Sequence, residues 1–275
     1  MWGRARFRIK ERRLGQRPPP PESRIRKWSG ILNPTGNDER NFAPLVAQLE
    51  SGTPHEPEFG FFWSLEGADG LFIDVGANAG QSAVSLRSVN RSLRILSFEP
   101  NPLLEPLLRQ LSNELPDGFG YRMIGLSDHR HSTVLYVPVI DDLLVTPLAT
   151  LDRSVFERQH YHDQLVDLSL DGKYEIAEVT VELERFDDLD LDPAVIKIDT
   201  EEHELSCLAG MMETIDRCSP ILMIEDNPQS NEIASILATV GYEPFLYDAN
   251  ADKLVPLPAQ FEAINIFYVS PSHNR

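Results

Sequence analysis

The chain has 275 residues, 41% of them apolar, and 21 prolines, the makeup of a folded protein with room for one large α/β domain and an appendage. No apolar run approaches the roughly 18–20 residues of a membrane span, and the basic start, MWGRARFRIKERRLGQRPPPP, lacks the apolar core of a signal peptide, which argues against membrane insertion and secretion. The net charge is −18, but residues 1–30 hold ten Lys/Arg against two Asp/Glu, leaving −26 on the remainder, a body that repels phosphate backbones and disfavours a nucleic-acid substrate.

In chain order, residues 1–30 read as a solvated basic tail that ends near the proline run at 18–21. Residues 31–69 read as an amino-terminal cap, with one helix near 40–50 (RNFAPLVAQLE) and an aromatic cluster, Phe59, Phe61, Phe62 and Trp63, expected as core or lid. From residue 70 onward, short apolar runs alternate with helical stretches. The runs at 71–75 (LFIDV), 93–98 (LRILSF), 120–125 (GYRMIG), 194–198 (AVIKI) and 220–224 (PILMI) each suit a buried strand, and helices are expected over 79–90, 102–114, 203–216 and 229–240. Pro102 suits a first helical turn and Gly241 a helix stop. This alternation implies βαβ crossovers and a mostly parallel sheet covered on both faces. The runs 243–247 (EPFLY) and 263–269 (AINIFYV) lack a helix between them and are expected to be antiparallel. Residues 126–193 break the pattern; with strand-like 132–139 and 174–183 and a helix-capable 150–164, they read as an insertion forming a lid or substrate wall.

Three places carry chemistry. The first strand runs into Gly76-Ala77-Asn78-Ala79-Gly80 and then a helix; glycines there let backbone approach a ligand, and the G-x-x-x-G spacing differs from the dinucleotide fingerprint. Glu99 ends the second strand, 23 residues after Gly76, where a carboxylate can accept hydrogen bonds from ribose hydroxyls. The fourth strand opens into Asp199-Thr200-Glu201-Glu202-His203-Glu204; helix capping by Asp199 or Thr200 accounts for one or two of these groups but not for all. Such a cluster can orient a hydroxyl or take its proton, and two or more carboxylates can hold a divalent metal, though nothing in the sequence demands one. Lys197, on a buried strand, is expected to pack or snorkel. Cys207 and Cys218 form neither a disulfide framework nor a zinc site, and a reducing cytoplasm is the expected compartment.

The succession LFIDVGANAG (71–80), SFEPNP (97–102), GLSD (125–128), FDDL (186–189), IKIDTEEHELSCLAGM (196–211) and ILMIED (221–226) resembles the FkbM family of methyltransferases over roughly residues 70–270. The resemblance implies a Rossmann-like class I fold, a seven-stranded sheet in the order 3-2-1-4-5-7-6 with strand seven antiparallel, and S-adenosylmethionine (SAM) as cofactor. It implies methylation of a hydroxyl on a sugar, glycan or natural product. It places Asp74, Gly76, Asn78 and Gly80 at the methionine side of the cofactor, Glu99 at the ribose, and Ser127 and Asp128 near the adenine. Asp199, Glu201, His203 and Glu204 match the family's acidic signature, with Asp199 expected to orient cofactor or substrate and Glu201 or His203 to act as base. The chain departs from D-x-E-G-H-E at Glu202, which replaces a glycine; a positive φ there would strain it. His129, His131, His160 and His162, in the insertion, are alternative bases. Competing readings are a SAM-binding scaffold without turnover, which Glu202 motivates, a nicotinamide-dependent oxidoreductase, which the glycine spacing opposes, and an RNA methyltransferase, which the acidic body opposes.

Overall fold

The computed structural model describes residues 30–33, 41–115 and 117–271, so the expected tail, apart from Gly30, lies outside the described residues. The main sheet is built from β2 (Leu71–Val75), β3 (Arg94–Phe98), β4 (Phe119–Arg122), β9 (Val195–Ile198), β10 (Ile221–Glu225), β11 (Glu243–Asp248), β12 (Lys253–Pro256) and β13 (Asn265–Val269), in the order β12-β11-β13-β10-β9-β2-β3-β4. The five strands from β10 to β4 are parallel, and β13, β11 and β12 pair antiparallel beyond them. The sheet therefore has eight strands rather than seven and is mixed rather than mostly parallel. The added edge, β12, arises because the segment after Asp248 turns back onto β11 at once, through Asp252 at φ 48°.

Alternate residues of each central strand feed two cores, as a pleated strand dictates. Phe72, Val195, Met223 and Phe267 face α1 (Ala43–Ser51), α2 (Gln81–Val89) and α3 (Glu105–Glu114), which contribute Leu45, Val84 and Leu111. Ile73, Ile196, Leu222 and Ile266 face α5 (Glu204–Ala209), α6 (Met212–Cys218) and α7 (Ser230–Ala238), which contribute Leu208, Ile215 and Leu237. The helix expected over 203–216 is broken at Gly210, where a side chain would run into the Ser127 carbonyl. Pro102 lies ahead of its helix, and Pro106 occupies the first turn instead.

The run at 120–125 is not one strand. Only its first half joins the main sheet; the chain then leaves, and β5 (Gly125–Ser127) starts a second sheet in the order β1-β7-β6-β8-β5, with β1 (Ile31–Leu32), β6 (His131–Ile140), β7 (Leu143–Val145) and β8 (Glu175–Arg185). The long β6–β8 antiparallel ladder is its spine, and α4 (Gln159–Leu168) covers one end through Leu165. The segment 126–193 is thus a sheet that recruits a strand from residues 31–32.

Within residues 41–69, Phe59 and Phe62 are fully buried, while Trp63 is 62% exposed. Phe62 meets Phe72 edge-on at 5.3 Å and also contacts Phe267, so the aromatic cluster is part of the main core. Phe62→Ala is expected to lower the unfolding free energy by about 3–5 kcal/mol; denaturant titration checks this, and an unchanged midpoint would detach residues 41–69 from the core.

Candidate functional site

At the carboxyl ends of the parallel strands lies a cleft of about 280 Å³, walled on one side by the loops after β2, β3 and β9 and on the other by the second sheet. Gly76 lines it at φ 84°. A Cβ there would overlap the Asp199 carbonyl oxygen, and one at Gly80 (φ 102°) would overlap Leu111, so both glycines serve packing within the fold. Gly80 and Asp74 do not reach the cleft wall. Asp74 is fully buried beneath it and accepts a hydrogen bond from Ser97 Oγ at 2.8 Å. Asn78 (φ 47°) does line the cleft; its N–H donates to Glu99 Oε2 at 2.8 Å, and its Oδ1 lies 3.0 Å from Thr146 Oγ1 of the second sheet. Glu99 also takes the Asn101 N–H at 2.8 Å, yet burial outweighs both donors and pushes its carboxyl up to about 7.

On the other side of the cleft stands the acidic group. Lys197 is fully buried and does not snorkel: its ammonium donates to Asp199 Oδ2 at 2.6 Å. Burial alone would lower its pKa, but Asp199, Glu56 and Asp74 together drive it above its ordinary value. Carboxylate oxygens of Asp199, Glu201 and Glu225 all lie within 4.8 Å of one another, close enough to share a divalent cation. Burial, reinforced by Asp199, Glu204 and Glu202, raises Glu201 to about 8; burial and the same cluster raise Glu225 as well. Glu204 is occupied structurally, accepting from Thr200 N–H (2.7 Å), Thr200 Oγ1 (2.9 Å) and Asn227 Nδ2 (2.9 Å). No side chain caps α5; Asp199 and Thr200 lie ahead of its N-cap, His203.

Glu201 and Glu202 both adopt left-handed backbone, at φ 54° and 74°. The strain expected at Glu202 is therefore present, and an ion pair with Arg158, just before α4, holds its side chain.

His203 Nε2 lies 3.2 Å from Ser127 Oγ, whose own hydroxyl donates to Asp128 Oδ1 at 3.1 Å. With that hydroxyl proton committed, Nε2 carries the imidazole proton and Nδ1 keeps the lone pair. Burial, with His131 nearby, lowers the His203 pKa, so the ring is neutral at pH 7. Ser127 and Asp128 are not on the cleft wall; Gly125 and Leu126 occupy that stretch. A second cavity, of about 210 Å³, adjoins the first, shares Glu201, His203, Leu151 and Leu183 with it, and adds Thr133, Asp152 and Glu202. His131 lines this cavity, whereas His129, His160 and His162 are exposed. Sequence reasoning missed Glu56, Asn101, Thr146 and Glu225; of these, Asn101 carried a signal in SFEPNP and Glu225, at the end of a strand beside the acidic one, in ILMIED.

The Methyltransferase FkbM domain model matches residues 74–244. The chain belongs to this family. Among solved structures, it resembles methyltransferase FkbM from Methylobacillus flagellatus KT at 16% identity and TM-score 0.47, over 84% of this chain and 52% of that one, so it spans about half of that protein's length. It also resembles a TehB-like SAM-dependent methyltransferase from Corynebacterium glutamicum ATCC 13032 Kitasato (11% identity, 84% and 96% coverage, TM-score 0.42). A third likeness is to precorrin-6y C5,15-methyltransferase from Geobacter metallireducens GS-15 (10%, 86% and 90%, 0.37). No curated protein matches the chain. The family match carries the assignment; these distant folds add nothing to it.

Two outcomes follow for the ligand-free protein. Glu99 and Glu201 have an ordinary pKa of 4.5 and stand at about 7 and 8 when folded, so between these values the folded state binds more protons than the unfolded one. Stability therefore falls as pH rises from about 4.5 through about 8, and Glu225, also raised, carries the fall further, while the lowered His203 opposes it only below its ordinary 6.5; Glu56, lowered to about 2, acts only below that window. Chemical denaturation across pH reads the slope, and Glu201→Gln flattens it between about 6 and 8. At Glu202, replacement by Gly removes the φ strain along with the ion pair and holds or raises stability by about 1 kcal/mol, whereas Ala keeps the strain, loses the pair and lowers it. In thermal melts the Gly variant should stand at or above wild-type protein and the Ala variant below it.

Proposed function

We propose that this methyltransferase moves the methyl group of SAM to a hydroxyl of a sugar, glycan or natural product. The observation that carries the reading is the junction of the two cavities: Glu201 and His203 stand where a cleft bearing Gly76, Asn78 and Glu99 opens into a polar cavity bearing Thr133, Asp152 and Glu202. The cleft suits the cofactor. Glu99 lies where ribose hydroxyls can donate to it, Gly76 and Asn78 present backbone, and an unpartnered amide nitrogen of Asn101 is buried in the wall. The carboxylates of Asp199, Glu201 and Glu225 suit a cation beside them. When bound, the sulfonium supplies an electrophilic methyl group. The neighbouring cavity is rich in carboxylate acceptors, which favours a ligand rich in O–H donors over an anionic one.

Each residue has one task in this reading. Asp199, pinned by Lys197, keeps one oxygen toward the cleft. Glu201, protonated at neutral pH, donates to an oxygen and holds the acceptor in line. His203, neutral and with Nδ1 unprotonated, takes the hydroxyl proton late in the transfer, and Ser127 fixes its tautomer. The ring starts neutral, becomes an imidazolium on taking that proton, and returns the proton to solvent before the next turnover.

A pH–rate profile with SAM in single turnover separates the two candidate bases. If His203 takes the proton, the rate rises through a pKa below 6.5, holds, and falls only as Glu201 loses its proton near pH 8, and His203→Asn lowers it by about 10²–10⁴-fold without changing S-adenosylhomocysteine affinity. A rise through about pH 8 that vanishes in Glu201→Gln would instead make Glu201 the base. Tight S-adenosylhomocysteine binding with no methyl gain on any hydroxylated acceptor in a glycan panel, read by mass spectrometry, would leave a SAM-binding scaffold.

A further inference from the structure

Asn101 sits two residues after Glu99, in the turn that leads toward α3, and is only 1% exposed. Its Oδ1 accepts the Leu103 N–H at 3.1 Å. A backbone N–H can be received only by the amide oxygen, so the side-chain orientation is determined: oxygen toward Leu103, nitrogen on the opposite side. That nitrogen, Nδ2, is buried and has no hydrogen-bond partner among the described residues. Asn101 is also a lining residue of the cleft. Buried amide donors are almost always paired in folded proteins, so an orphan at a cleft wall marks the place where a ligand's acceptor completes the site.

The surroundings identify that acceptor. Phe98, Pro100, Leu104, Gly125 and Leu126 line the cleft along with Asn101 and present apolar surface fit for the faces of a flat heteroaromatic ring. Glu99 takes hydroxyl donors beside it, so the ring next to Asn101 is the base attached to that ribose. An exocyclic amine would oppose donor to donor; an unprotonated ring nitrogen offers the lone pair that Nδ2 lacks. Resting on the SAM reading above, we propose that Asn101 Nδ2 donates a hydrogen bond to a ring nitrogen of the cofactor's adenine and thereby selects the base.

Isothermal titration calorimetry with S-adenosylhomocysteine tests this without turnover, together with its 1-deaza, 3-deaza and 7-deaza adenine analogues. Asn101→Asp keeps the oxygen that receives the Leu103 N–H but removes the donor. Wild-type protein is expected to bind one of the three analogues about tenfold more weakly than the parent, and Asn101→Asp to bind the parent about tenfold or more weakly. The variant is also expected to bind that one analogue and the parent equally, which distinguishes a lost base contact from general repulsion by the added carboxylate. Equal binding of all three analogues and the parent by wild-type protein would overturn the inference while leaving the cofactor reading standing; this arm holds even if the variant fails to fold. Undiminished affinity in a folded Asn101→Asp would overturn it likewise. No binding of S-adenosylhomocysteine by wild-type protein would overturn the cofactor reading and the inference with it.

Discussion

Lys197 lies fully buried in the middle of the main sheet, and an ammonium in that position is stable only while anions surround it. Asp199 gives the direct partner at 2.6 Å, and Asp74 and Glu56 add their fields from the neighbouring strand and from the segment before Phe59. Glu56 is held in turn by Asn265 Nδ2 at 3.0 Å and His55 Nε2 at 3.1 Å. One charge thus ties β2, β9, β13 and the amino-terminal segment to a single carboxylate at the cleft. Removing the ammonium would leave three buried or half-buried acids uncompensated, a loss of several kcal/mol in pairs of this kind. Asp199 cannot drift from the cleft while that ammonium stays, which makes its position a property of the whole sheet.

Besides the Ser127–His203 contact, three side-chain contacts bring the segment 126–193 onto the loop after β2 and the acidic turn. Thr146 Oγ1 reaches Asn78 in the loop after β2, Thr150 Oγ1 donates to the Glu201 carbonyl at 3.1 Å, and Arg158 pairs with Glu202. All three meet the main sheet at residues in left-handed backbone, Asn78, Glu201 and Glu202. Such residues cost about 1–3 kcal/mol each and persist where surrounding contacts over-determine them. The pattern gives a physical account of Glu202: the glycine it replaces would need no partner there, whereas a glutamate supplies one and binds the two sheets together across the acidic turn.

Much of the parallel half of the sheet was legible because a strand buried on both faces is apolar over most of its length, as LFIDV and ILMI are. The acidic cluster was legible for a different reason: Asp199, Glu201, His203 and Glu204 are neighbours in sequence. What sequence could not show were contacts made across the fold. Glu56 and Asn265 are 209 residues apart, and nothing local marks either. The glycines illustrate a subtler limit. Gly76 was read as room for a ligand, but the closest atom to its missing side chain is the Asp199 carbonyl, so a correct residue choice carried an incomplete reason. Ser127 and Asp128 turn away from the cleft because the chain quits the main sheet after Arg122, a departure hidden inside what reads as one strand, GYRMIG.

The protonation of the cleft follows from the same arithmetic of charge. Asp199 has Lys197, and Glu202 has Arg158, but among the described residues Glu201 and Glu225 pair with no cationic side chain. Three carboxylates within 4.8 Å cannot all ionise in a half-buried site, so the last two keep protons well above the usual carboxylate range. A cation entering the cleft changes that balance, because its field favours the ionised form of each acid it approaches. On the reading proposed above, binding of a sulfonium would draw one proton from the Glu201–Glu225 pair and leave the other to hold the acceptor, both protons belonging to the pair rather than to either residue. A neutral sulfide would lack that field, so after methyl transfer the pair would take its proton back. On that reading the cleft would be better matched to a charged cofactor than to its spent form, the difference being set by how far burial has raised the two acids.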